Sequence, residues 1–201
     1  MLESIKLLQD FAKRNDFEFH SIVDCHKEGP IIYTRDNEKY VWMKPKASPN
    51  ICYVAFSNTQ RISDESTYSG IFSQLKVHNK TDFVSITKKD VLDKINSLFS
   101  SRQLKTGINI IDKQLVVKSN NERFVRKIFS KNMLNDDLLV FFNKFEAARL
   151  IINTKEINFV KSFEGKSLIG LYVLNQWITE PETINEMISL FNKILGNFSM
   201  D

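Results

Sequence analysis

Thiol and imidazole side chains are the metal-binding candidates in this sequence, because zinc takes Cys and His ligands that converge on a tetrahedron. The five candidates are His20, Cys25, His26, Cys52 and His78. The first three have the spacing H-x4-C-H, whereas zinc sites favour paired spacings such as C-x2-C or H-x3-H. Adjacent residues of a strand also point to opposite faces, which separates Cys25 from His26. We therefore interpret all five as ordinary strand and turn residues and predict neither a metal nor another cofactor.

Residues arranged for nucleophilic catalysis or phosphate binding are not found in the sequence. It has neither a G-x-S-x-G nucleophile elbow nor the glycine-rich phosphate loops G-x-x-x-x-G-K-[ST] and G-x-G-x-x-G. Neighbouring carboxylates occur at Asp64 and Glu65, at Asp136 and Asp137, and at Glu180 and Glu182. Acidic residues are common at helix starts and in exposed loops, which explains these pairs without any chemistry. The sequence therefore predicts no catalytic residue and favours a protein that is not an enzyme.

A basic segment at 102–131 is the strongest candidate for a binding surface. It contains eight Lys or Arg residues against two acidic ones, a local charge of +6 in a chain whose net charge is +4. The candidate side chains are Lys118, Arg123, Arg126, Lys127 and Lys131. Such cations can pair with phosphates, acidic lipid head groups or an acidic protein, although a solvated helix face has the same composition. Phe124 and Phe129 are predicted to point inward, so base stacking is not expected and nucleic acid is an unfavoured partner.

Length and composition predict a chain that folds without disulfides or metals. With 201 residues, 42% of them hydrophobic, it can bury a core of its own. No apolar run reaches the roughly 18 residues that a membrane-spanning helix needs. The N-terminal segment is interrupted by Glu3, Lys6 and Asp10 and lacks the apolar stretch of a secretory signal. Two cysteines are too few for a disulfide framework, so we expect a soluble, cytoplasmic protein.

Hydrophobic periodicity predicts an α+β fold with two lobes. In the N-terminal domain, 1–101, a helix at 2–15 precedes the strand patterns FEFHSIV, PIIYT, YVWMK, ICYVAF, FSQLKV and FVSIT. A polar stretch at 58–70 is predicted to be a long mobile loop. A helix capped by Thr87 closes this domain, whose predicted order is α-β-β-β-β-β-α, with five or six of these patterns forming strands.

The C-terminal domain, 102–201, has the predicted order β-α-α-β-β-β-α, in which the first β stands for a strand pair. That pair is INIID and QLVVKS, and the later strands are ARLIINT, NFVKSFEG and SLIGLYVLNQWI. Ser119 or Asn120 is predicted to cap the basic helix, Asn135 the next helix, and Thr179 the last one. Each lobe is predicted to have two layers, an antiparallel sheet covered by helices, with the long C-terminal helix packed on the second sheet.

The segment that leads into the basic helix carries a further pattern. It contains Thr106-Gly107, then Asp112, then Leu-Val-Val at 115–117 and Ser-Asn-Asn at 119–121. It resembles a segment of uncharacterised bacterial proteins of unknown function, in which a TG…D…F-x-V-x-S strand precedes a helix and a small β-rich lobe. The resemblance covers the second half of the chain. Leu115 stands where that pattern has an aromatic residue, and the membrane-spanning helices common in such proteins have no counterpart here. The resemblance implies no catalytic residues.

These patterns together predict a bacterial, cytoplasmic, non-enzymatic protein that binds another protein or assembles with itself. Two alternatives stay open. One is a carrier of a small apolar ligand or lipid, in which the C-terminal helix closes the second sheet over an apolar cavity. The other is weak binding of nucleic acid or another anion through the basic helix.

Overall fold

One eight-stranded antiparallel sheet organises the described part of the chain. This computed structural model describes residues 2–23, 38–48, 50–58, 66–75, 81–89, 104–130, 132–153 and 157–198. The strands are β1 (Phe17–Val23), β2 (Glu38–Pro45), β3 (Ile51–Asn58), β4 (Thr67–Gln74), β5 (Val84–Lys88), β6 (Leu115–Ser119), β7 (Ala148–Ile152) and β8 (Leu168–Leu174). The helices are α1 (Leu2–Arg14), α2 (Asn109–Gln114), α3 (Glu122–Phe129), α4 (Asn132–Lys144) and α5 (Pro181–Phe198), with one 3-10 turn at Lys161–Phe163. The strand order is β1-β2-β3-β4-β8-β7-β5-β6.

The α+β class is confirmed, but the prediction of two separate sheets is wrong. The strand β8 joins the two halves, because it pairs with β4 on one side and with β7 on the other. All seven residues of β8 are buried, as expected of a central strand with neighbours on both edges and layers on both faces. Sequence periodicity locates strands, but it carries no information about which strands pair. A segment that is apolar throughout can therefore be identified correctly as a strand while its neighbours in the sheet are predicted wrongly.

Strands from the two predicted domains are interleaved in this sheet. The strand β5, assigned to the N-terminal domain, lies between β6 and β7 of the C-terminal domain. The predicted boundary between 101 and 102 falls outside the described residues, as do the predicted strand PIIYT and most of the helix predicted to follow Thr87.

The five helices in the described part of the chain all contribute to the core on one side of the sheet, which we call the helix-packed face. Each helix buries apolar residues there, namely Phe11 of α1, Ile111 of α2, Val125 of α3, Phe141 of α4 and Phe191 of α5. The predicted C-terminal helix is confirmed at Pro181–Phe198, and its buried stripe repeats at helical spacing. None of the described helices is long and apolar enough to span a bilayer.

The opposite side, the aromatic face, is formed by a second core cluster rich in rings. Phe56, Tyr68, Phe72 and Tyr172 pack there with Cys52 and Val54, and ring centroids of neighbouring aromatic residues lie 5.2 to 6.4 Å apart. The connection between β7 and β8 covers part of this face, and Phe159 stacks on Tyr40 at 4.3 Å. This connection was predicted to contain the strand NFVKSFEG, which is wrong. Within the segment NFVKSFEG the buried residues Val160 and Phe163 are three positions apart, a helical spacing that suits the observed 3-10 turn.

Several local predictions also need correction. INIID forms the helix α2 instead of a strand, and the helix α4 begins at Asn132, so Asn135 is a buried interior residue instead of a cap. The cap of α3 is Asn121, whose side chain accepts a hydrogen bond from the backbone N–H of Phe124 at 3.0 Å. It lies one position after the predicted cap residues, and its backbone is extended, which aims its side-chain oxygen at the free amides of the first turn.

The polar stretch predicted as a mobile loop at 58–70 is in part a strand. Thr67–Gln74 forms β4, while 59–65 lies outside the described residues. Hydroxyl groups hold this strand in place: Ser69 donates to the carbonyl of Gln176 at 3.1 Å and accepts from the N–H of Ile178 at 2.9 Å. Ser and Thr therefore serve as strand residues with buried partners here, which composition alone does not distinguish from a loop.

Candidate anion-binding groove

An open groove with a volume of about 360 Å³ lies on the aromatic face, beside the central and edge strands of the C-terminal half. Its lining includes Ser85 and Thr87 of β5, Lys118 of β6, Arg149 of β7, Glu146 in the turn before β7, and Leu174 at the end of β8. Each of these residues lies in a paired strand of the sheet or in the turn next to one. A continuous hydrogen-bonded sheet therefore sets the positions of the lining side chains.

The strand register explains why the polar side chains lie together. Ser85 pairs with Lys118 of β6, and Thr87 pairs with Arg149 of β7. Directly paired residues share a face of the sheet. Ser85 and Thr87 alternate with Val84 and Ile86, which are fully buried in the helix-packed core. The two hydroxyls and the two cations consequently project on the same side, into the groove.

The groove carries more positive than negative charge. Among the residues that the structure describes, Lys118 and Arg149 supply cations, and Glu146 is the one carboxylate in the lining. Lys88 also lines the groove, but its register partner Leu115 belongs to the helix-packed core, so its side chain leaves the strand on the other side. Lysine, arginine and hydroxyl groups are all hydrogen-bond donors, and donors with positive charge favour an anionic acceptor.

The predicted basic surface is divided by the fold. Lys118 lies in the groove on the aromatic face, whereas Arg123, Arg126 and Lys127 are exposed on α3, which packs against the helix-packed face. Arg126 pairs with Glu122 one turn earlier, with Nη2 and Oε1 2.7 Å apart. Lys131 lies outside the described residues. The structure thus keeps Lys118 as a candidate site residue and gives it different neighbours from those predicted.

The segment from Thr106 to Asp112 closes a turn at the start of α2, the helix that leads into β6. The carboxylate of Asp112 accepts hydrogen bonds from the backbone N–H and the hydroxyl of Thr106, both at 2.8 Å, and from the N–H of Gly107 at 3.2 Å. Gly107 has φ +84°, a left-handed conformation that glycine adopts without steric cost. These residues explain why the chain turns into α2 before it reaches the groove strand.

The Ser-Asn-Asn part of the pattern fastens β6 to the residues before β5. Asn120 accepts from the N–H of Phe83 at 2.9 Å and donates to the carbonyl of Thr81 at 2.8 Å. Asn121 donates to the carboxylate of Asp82 at 3.0 Å while it caps α3. These contacts hold the C-terminal end of β6 beside β5, next to the paired residues Lys118 and Ser85.

Removing the Asp112 carboxylate should measurably loosen this region. We expect Asp112→Ala to lower the free energy of unfolding by about 1–3 kcal/mol, because three donors lose their acceptor. Asp10→Ala, on the exposed side of α1, is the control and should change it by less than about 0.5 kcal/mol. Urea unfolding followed by circular dichroism measures both. Equal effects of the two variants would show that the turn contributes nothing to stability.

The candidate metal ligands are not brought together in the described part of the chain. His20 is exposed on β1 and stacks on Trp42 at 5.3 Å, whereas Cys52 is fully buried on β3, on the far side of β2. Burial raises the pKa of the Cys52 thiol from 9.0 to about 12, although Lys44 opposes this, so the metal-binding thiolate is disfavoured at neutral pH. Cys25, His26 and His78 lie outside the described residues. Among the residues that are described, no three His, Cys, Asp or Glu side chains are grouped so that they could hold a metal ion.

Of the groove residues, only Lys118 is among the predicted site residues; the sequence prediction misses the others, among them Ser85, Thr87 and Arg149. A signal for the first two was present, because they occupy alternate positions in the predicted strand FVSIT, which marks one polar face. Arg149 sits in the apolar pattern ARLIINT and becomes relevant only through its pairing with Thr87. Comparisons with protein-family models, with curated proteins and with solved structures found no match to this chain.

Proposed function

We propose that this protein binds a small anionic ligand, carrying a carboxylate or phosphate group, in the groove on the aromatic face. The observation that supports this is the placement of Lys118, Ser85 and Arg149 on three neighbouring strands around one open volume of about 360 Å³. This is a binding function, and no step of chemistry on the ligand is part of it. The sequence analysis considered anion binding by the basic helix, whereas this proposal puts the anion site on the sheet.

The chemistry of the groove suits a small ligand with few polar contacts. Ligand sites commonly have volumes of about 300–1,000 Å³, so this groove is at the small end of that range. Within the described residues, Lys118 is exposed and forms no ion pair, which leaves its ammonium group available to an anion. The hydroxyls of Ser85 and Thr87 can rotate to donate to the same oxygen atoms. The sheet fixes the backbone positions of these residues, so binding has to order only their side chains.

Lys118 is the residue whose loss should show in binding. We expect Lys118→Gln to weaken the binding of acetate and of inorganic phosphate about fivefold, because a partly solvated ion pair contributes up to about 1 kcal/mol. The matched control is Lys127→Gln, an exposed lysine on α3 that should leave both dissociation constants unchanged. Titration followed by the amide chemical shifts of β5, β6 and β7 measures these constants. If both variants bind as the wild type does, the groove is not the anion site.

The two other predicted functions remain proposals with different tests. Binding of a protein partner or self-assembly would be supported by a continuous exposed apolar patch. In the described part of the chain, the exposed large apolar side chains lie on three different helices: Leu2, Leu7, Ile110 and Val140. A carrier of an apolar ligand would need space beneath α5, where Met187 and Phe191 are fully buried in the core. A cytoplasmic location remains an expectation from the two thiols. The native mass of the purified protein, compared with 23.4 kDa, tests assembly and a retained ligand together.

A further inference from the structure

The strand register shows where each charged residue lies along the groove. The row that contains Lys118 and Ser85 continues to Ile151 of β7. The opposite end contains Leu174, whose N–H donates to the carbonyl of Ala147 at 3.1 Å, and the neighbouring Glu146. Ala147, just before β7, and Ile151 are four positions apart, a distance of roughly 13 Å along an extended chain. Arg149 and Thr87 lie between them.

The two ends of the groove differ in their charged residues. Lys118 lies at the Ser85 end, and Glu146 lies at the Leu174 end together with Lys88, whose position in β5 directs its side chain to the helix-packed face. Glu146 is exposed in the turn between α4 and β7, and within the described residues it forms no ion pair. An anionic ligand that reached across the groove would place its distal end beside this carboxylate. A second negative charge there would be repelled, whereas a positive charge would be attracted.

We infer that the ligand is a small zwitterion, with its anionic group at Lys118 and Ser85 and an ammonium group at Glu146. This rests on the proposed anion binding and adds the class of ligand. The two rows lie roughly 13 Å apart along the strands and β6 lies roughly 10 Å from β7 across the sheet, and lysine and glutamate side chains are long enough to cover part of that distance, so the ligand has a short backbone. The apolar side chain of Leu174 lines the same end and suits a ligand whose two charges are joined by methylene groups.

Matched pairs of ligands separate this inference from the proposal on which it rests. The pairs are 4-aminobutyrate with butyrate and 6-aminohexanoate with hexanoate, which differ within each pair by the terminal ammonium group. We expect one of the amino acids to bind about fivefold more tightly than its partner carboxylate, as one partly solvated ion pair allows. Glutarate, with a second carboxylate in place of the ammonium group, should bind more weakly than butyrate.

Glu146→Gln is the decisive variant, with Glu164→Gln, in an exposed turn on the β7–β8 connection, as the matched control. The inference predicts that Glu146→Gln removes the fivefold preference and leaves the affinity for butyrate within twofold, whereas Glu164→Gln changes neither. If the amino acids and carboxylates bind equally in the wild type and Lys118→Gln weakens both, the zwitterion is refuted and the anion groove stands. If no carboxylate, phosphate or amino acid binds, both the inference and the proposed function are refuted.

Discussion

Gly70→Ala is expected to lower the free energy of unfolding by about 3 kcal/mol or more, the upper end of the usual cost of overpacking. Gly70 lies in β4, where it pairs with Tyr172 of β8 and with Val54 of β3. A Cβ atom added at this position would lie far inside van der Waals contact of the Tyr172 Cα and Cβ atoms and of the Leu171 carbonyl oxygen. Two of these three atoms belong to the backbone, so no rotation of a side chain relieves the clash. The central pairing of the sheet must therefore shift.

Two other glycines make this prediction specific. At Gly170 the added Cβ would meet the ring of Phe72, which is buried and stacked on Tyr172 but can shift as a side chain, so we expect a smaller loss than at Gly70. At Gly196, in α5, no atom lies within 4 Å, and Gly196→Ala should raise the free energy of unfolding by up to about 1 kcal/mol, because alanine favours a helix. Urea unfolding of the three variants gives the order. A Gly70→Ala protein as stable as Gly196→Ala would mean that β4 and β8 are not paired as described.

The same pairing of β4 with β8 shows what the sequence predicts and where prediction ends. Most strands and the helix Pro181–Phe198 are read correctly, because each buries a face whose period of two or 3.6 is visible in the sequence. The partner of each strand is a long-range property. Gly70 and Tyr172 are 102 positions apart, and their close approach depends on the absence of a Cβ atom at Gly70, where the Tyr172 Cα and Cβ atoms and the Leu171 carbonyl oxygen lie. No local pattern contains that complementarity.

The candidate site is predicted even less completely, for a related reason. Lys118 is found through the charge of its segment, but the segment predicts the wrong neighbours, since Arg123 and Lys127 lie on a helix against the opposite face. Ser85 and Arg149 come from parts of the chain that carry no excess of charge. They reach Lys118 because β5 lies between β6 and β7, an order that differs from the order in the sequence. A site built across strands is as hard to predict as the strand order.

The thiol of Cys52 and the phenol of Tyr53 are expected to make the protein lose stability at alkaline pH. Burial raises the pKa of the Cys52 thiol from 9.0 to about 12 and raises that of Tyr53 above its ordinary value of 10.0. Both groups are neutral when protonated, so above pH 9 the unfolded chain gives up protons that the folded chain still holds. The free energy of unfolding therefore falls as pH rises, and Cys52 contributes a loss of about 4 kcal/mol by pH 12, at about 1.4 kcal/mol per pH unit. Below pH 9 neither group changes the free energy of unfolding.

The effect of the Cys52 thiol is measured by how steeply the free energy of unfolding changes with pH, and not by its value at a single pH. Cys52→Ala removes a buried atom and lowers the free energy of unfolding at every pH, but its slope between pH 9 and 11 should be flatter than that of the wild type by about one titrating group. Cys25→Ser is the matched thiol control and provides a chain in which Cys52 is the single cysteine. In that chain a thiol reagent at pH 8 should react only after denaturant unfolds the protein, because Cys52 is both buried and protonated in the folded state. Rapid labelling of the folded Cys25→Ser protein, or equal slopes for Cys52→Ala and the wild type, would place Cys52 outside the aromatic core.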